Sequence, residues 1–139
     1  MGSRVSVAST SLNDSEKVSV NVGFVDLGQI DLLVQDGFYS TRTDFIRTAI
    51  RNQLERQDAT LRKSVQRNEF ELGLRTVLRN ELETLLARKQ MLNLRVIGMA
   101  SIASDVPLVL ARKTIGSIRV LGALRMEPEL RRGLHDRIL

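Results

Sequence analysis

Residues 17–22 read Lys-Val-Ser-Val-Asn-Val, an extended pattern that puts Lys17, Ser19 and Asn21 on one side and three valines on the other. An ammonium, a hydroxyl and a carboxamide at every second position form a line of hydrogen-bonding groups. Such a line can contact an extended polar surface, or it can be the solvated face of an ordinary edge strand. Further on, Ser40-Thr41-Arg42-Thr43 stand just before the apolar pattern Phe45, Ile46, Ala49, Ile50, Leu54. Hydroxyls at a helix start cap its free N–H groups, and the same N–H groups with the positive helix end favour an anion. Capping alone accounts for the hydroxyls, so the anion is the second reading.

The elements that must position these residues follow from the change of period. Alternation over 17–22 predicts a half-buried strand. After Gly23, the residues Leu27, Ile30, Leu33 and Val34 fall on one helical face, stopped at Asp36-Gly37, where glycine suits a left-handed cap. A second helix starts at Thr41, with Asp44 three residues on as a short-armed capping box. Arg47 and Arg51 lie off its apolar face, solvated or paired with Asp44 and Glu55. A strand and two helices in some 40 residues cannot bury a core alone, and a lone strand has two unpaired edges. Both difficulties disappear if two chains pair their strands antiparallel above four helices. The two-stranded ribbon so formed fits the major groove of DNA.

Composition narrows the classes. The chain has 139 residues, no cysteine and one histidine, His135, so disulfides, thiolate metal sites and histidine-based metal sensing or catalysis are disfavoured. No cofactor and no metal is implied, and no catalytic constellation stands out. There is no apolar run long enough to span a bilayer and no secretory pattern at the start, which predicts a cytoplasmic protein. The net charge of +5 favours anionic partners in general. Residues 1–58, however, carry six basic against eight acidic side chains, and residues 59–139 carry fifteen against eight. A nucleic-acid footprint in the first half is therefore local.

The ordered set VSVNV, then IDLLVQDGFYSTRTDFIRTAIRNQL, resembles the ribbon-helix-helix repressors of bacteria, especially the CopG-like branch, over about residues 16–56. The resemblance implies an intertwined homodimer that binds double-stranded DNA sequence-specifically as a transcriptional repressor, and not an enzyme. It implies that Lys17, Ser19 and Asn21 read bases and that Ser40, Thr41, Arg42 and Thr43 hold a phosphate. Arg4 and Arg47 are further candidates for backbone contacts. Many relatives carry an arginine on the outward strand face, where this chain has lysine, serine and asparagine. Two alternatives stay open: the antitoxin of a toxin–antitoxin pair, and a structural protein that uses the ribbon only to dimerise.

The second half repeats. Leu72-Gly73-Leu74 recurs as Ile97-Gly98-Met99 and Leu121-Gly122-Ala123, each followed by a helix-start signal: Asn80-Glu81, Ser104-Asp105 and Glu127-Pro128. The expected fold is thus α/β overall, a ribbon-helix-helix followed by a small (βα)3 module with a parallel sheet and right-handed crossovers. The expected division is an N-terminal arm (1–15), the DNA-binding domain (16–57), a polar linker or helix end (58–67) and the repeated module (68–139). That module would serve higher oligomerisation, or bind a protein or small-molecule effector. Its glycines fit close backbone approach or bulges. Arg95 and Arg119 match between the last two repeats, with Phe70 in their place in the first, and mark either an anion site or a solvated face.

Overall fold

The computed structural model describes residues 15–139, so the start of the N-terminal arm and Arg4 lie outside the described residues. Two compact units divide between Arg62 and Lys63. No helix among the described residues is long and apolar enough to cross a membrane.

In the first unit, residues 15–23 form no helix and make no strand pairing within the chain, and Val18 is 78% exposed. The expected strand over 17–22 is therefore not part of a ladder within a single chain. Helix α1 (Phe24–Gln35) ends in a Schellman motif: Gly37 N–H donates to Val34 O and Phe38 N–H to Leu33 O, with Gly37 at φ 85°. Helix α2 (Arg42–Arg56) begins at the expected Thr41 cap. Residues 58–67, read from sequence as a linker or helix end, form a helix of their own, α3 (Asp58–Arg67). An Asp58–Arg62 pair at i,i+4 supports its first turn.

The second unit is a three-stranded, all-parallel sheet in the order β1 (Glu71–Val77), β2 (Leu92–Ile102), β3 (Ile115–Arg125). Helices α4 (Arg79–Ala87), α5 (Leu108–Thr114) and α6 (Pro128–Gly133) follow the strands in turn. Leu82, Leu110 and Leu130 from the three helices share one core with Val77, Leu94, Val96, Ala100 and Ile118 of the sheet. Full burial of each such side chain is worth about 1.5–3 kcal/mol, so this layer holds the module together. The C-terminus returns to the outer edge of β3, where Leu139 N–H donates to Ile118 O at 2.8 Å.

The repeated glycines form one row across the sheet. Gly73 pairs with Gly98 and Gly98 with Gly122, at φ 126°, 132° and 120°. A Cβ on Gly98 would lie 2.1 Å from Gly73 O, and one on Gly122 would lie 2.0 Å from Gly98 O. Close backbone approach thus explains the echo in the sequence. The helix starts deviate more. α4 begins at Arg79, before the Asn80-Glu81 signal, while α5 begins at Leu108, after Ser104-Asp105. Pro107 accounts for the delay, because the residue before a proline is driven out of the α region.

α3 and α4 both end on a non-glycine residue in the left-handed region, Glu69 (φ 55°) and Lys89 (φ 54°). Lys89→Gly is expected to stabilise the module by about 1 kcal/mol by removing that strain, as read from the urea midpoint. An unchanged or lowered midpoint would contradict the assignment.

Candidate nucleic-acid interface

The start of α2 is built by a reciprocal cap. Asp44 N–H donates to Thr41 Oγ1 at 3.0 Å, and the Asp44 carboxylate accepts from Ser40 N–H at 3.0 Å and Ser40 Oγ at 3.1 Å. Tyr39 packs edge-on against Phe45, with ring centroids 5.0 Å apart, and fixes the turn that delivers these residues. The hydroxyls of Ser40 and Thr41 are therefore engaged in capping.

Arg42 is engaged as well. Its Nε and Nη2 donate to the two oxygens of Asp31 on α1 at 2.7 and 2.8 Å, a bidentate pair that joins the helices across the turn. Hydrogen bonding to Arg42 holds the Asp31 carboxyl below the usual carboxylate range. Both side chains are about half exposed, so the pair orients the arginine more than it stabilises the fold.

The groups left facing outward at this helix end are the backbone N–H groups of Arg42 and Thr43, the first two of the helix, and the Thr43 hydroxyl. They are the donors with which a helix N-terminus meets a phosphate oxygen. Arg47 stands one turn on from Thr43 and is exposed, without an ion pair among the described residues. Lys17, Ser19 and Asn21 are all exposed on their unpaired segment. Spacing in the sequence located all these residues except Asp31, whose link to Arg42 crosses the α1–α2 turn and leaves no local pattern.

The apolar side of this unit is open. Ile30 is its one buried apolar residue among those described, at 8% exposure, whereas Phe24 is 92% exposed and Val20, Val25, Ile46, Ile50 and Leu54 are exposed with it. A family model described as the ribbon-helix-helix transcriptional regulator family matches residues 13–131. The chain belongs to that family. Membership bears out the resemblance seen in residues 16–56 and gives the coarse function, a DNA-binding transcriptional regulator. The match also runs through β1–β3 and into α6. No curated protein and no solved structure matches the chain significantly.

Proposed function

We propose that two chains pair residues 17–22 as an antiparallel ribbon, pack their α1 and α2 helices beneath it, and insert the ribbon into the major groove as a sequence-specific repressor. The exposed valines, Phe24 and the α2 residues Ile46, Ile50 and Leu54 carry this reading, because a unit with one buried apolar residue among those described cannot fold stably by itself. Lys17, Ser19 and Asn21 from each chain then face the bases. The start of α2 fixes the ribbon's depth through a phosphate at the Arg42 and Thr43 N–H groups, assisted by Thr43 and Arg47. Dimers of this design read half-sites related by a two-fold axis. The matched family is one of transcriptional regulators, which supports a regulatory role over a purely structural one.

Val20→Asp tests the pairing. The expected outcome is loss of the dimer in sedimentation together with loss of DNA binding, while hydrogen exchange in β1–β3 stays protected. A variant that remains dimeric and binds DNA would refute the ribbon.

Asp31→Asn addresses the phosphate clamp. Releasing Arg42 from its bidentate pair should strengthen DNA binding and steepen the dependence of log K on log salt by about 0.9 for each phosphate gained. An unchanged slope would mean that the Arg42 guanidinium does not reach the backbone even when free.

A further inference from the structure

On the sheet of the second unit, two neighbouring cations have no counterion among the described residues. Arg95 and Arg119 are direct partners in the β2–β3 register. Leu94, Val96 and Ile118 beside them are buried under the helices, so alternation puts both guanidiniums on the opposite, open face of the sheet. Both lie against one ring, with Cζ 5.3 Å (Arg95) and 5.7 Å (Arg119) from the Phe70 centroid. Phe70 thus takes the third place in the row that the repeat gives to arginine.

Like charges side by side on a sheet repel, and the Phe70 face offsets only part of that repulsion. It also leaves the in-plane donors unused. Arg95 Nε is shielded from solvent and has no hydrogen-bond partner. The other half-buried arginines of the module are served: Arg75 by Glu81 and Glu71, and Arg137 by the carbonyls of Arg112 and Ile115. A buried donor without an acceptor is costly, and a planar guanidinium is made to grip an oxyanion with two parallel N–H bonds.

The surroundings define the rest of the ligand. On one side Ser117 Oγ donates to Asn93 Oδ1 at 2.9 Å, which leaves the Asn93 amide N–H groups as further donors beside the pair. On the other side the register aligns Leu72, Ile97 and Leu121, and Leu72 and Leu121 are exposed. A cationic row thus borders an apolar one.

We infer that Arg95, Arg119 and Phe70 form a binding site for a small organic anion, with its oxyanion head on the two guanidiniums and a short apolar body over Leu72, Ile97 and Leu121. The head is a carboxylate or a phosphate monoester, the chemistry that both arginines share. The site lies in the second unit and does not depend on the ribbon reading.

The test follows the arginine Nε–H signals of the full-length protein by NMR during titration with hexanoate, hexyl phosphate, hexanol and sodium chloride. Saturable shifts of the Arg95 and Arg119 signals are expected with the two anions, and the tighter of the two identifies the head group. Hexanol should bind at least about tenfold more weakly, and chloride should give no saturable shift. Arg119→Gln, at an exposed position, should weaken anion binding about tenfold or more with the Gly73, Gly98 and Gly122 amide signals unmoved, and Lys17→Ala should leave it unchanged. Absence of saturable shifts with both anions, hexanol binding as tightly as hexanoate, or full affinity in Arg119→Gln would each overturn the site.

Discussion

Lys17→Ala or Asn21→Ala is expected to weaken binding to the specific DNA site by about 1–3 kcal/mol for each base no longer read, roughly 5- to 150-fold in Kd. Both side chains are exposed on a segment without strand pairing in the chain, so neither truncation should disturb the fold. The two variants should differ in salt dependence. Asn21 carries no charge, so its removal should leave the slope of log K against log salt unchanged and relax the choice of base. Lys17 is cationic and, where it also meets a phosphate, its removal lowers that slope. Titration of a specific and a scrambled duplex at two salt concentrations separates these effects. Equal weakening on both duplexes would mean that the residues bind backbone and do not read sequence.

The second large effect lies in the glycine row. Gly98→Ala is expected to destabilise the C-terminal module by roughly 3 kcal/mol or more, because two costs combine. The backbone sits at φ 132°, a region that side chains rarely adopt, and the new Cβ would meet Gly73 O at 2.1 Å. Strand separation between β1 and β2 would relieve the clash, and it breaks the ladder. Gly73→Ala is the control: its φ of 126° is similar, but nothing lies within 4 Å of the added carbon. Only the backbone cost remains there, about 1–3 kcal/mol. Urea unfolding monitored by circular dichroism, with hydrogen exchange to localise the change, distinguishes the two. A Gly98→Ala protein no less stable than Gly73→Ala would show that the row is not closely packed.

Much of this architecture is legible in the sequence because it rests on local rules. Gly37 at a left-handed cap, Thr41 with Asp44, and Pro128 at the first position of α6 are each fixed by the chemistry of one or two residues. The spacing of Gly73, Gly98 and Gly122 predicts a repeat, and the parallel register then brings them into one row. What the sequence hides is long-range or competitive. The stretch 58–67 is short and polar overall, so it reads as a linker, yet helix-forming residues, Leu61 and Val65 on one face and the Asp58–Arg62 pair carry it into a helix. Ser104-Asp105 looks like a helix start, but Pro107 moves the start downstream.

The candidate site divides in the same way. The outward row Lys17, Ser19, Asn21 is plain from alternation. At the start of α2 the local sequence cannot tell which donors are already used. Ser40, Thr41 and Arg42 are taken up by Asp44 and Asp31, and the free donors are the backbone N–H groups of Arg42 and Thr43. The engagement of the Arg42 guanidinium depends on a partner eleven residues away, Asp31.

The central claim, that a ribbon of two chains reads sequence through Lys17 and Asn21, is tested most directly by genome-wide capture of DNA fragments with purified protein, run beside a Lys17→Ala/Asn21→Ala double variant. The expected result is that the wild-type protein enriches fragments sharing a motif with two-fold related halves, while the double variant captures DNA broadly, in a salt-sensitive way, without that motif. Enrichment of the same motif by the double variant would contradict the account.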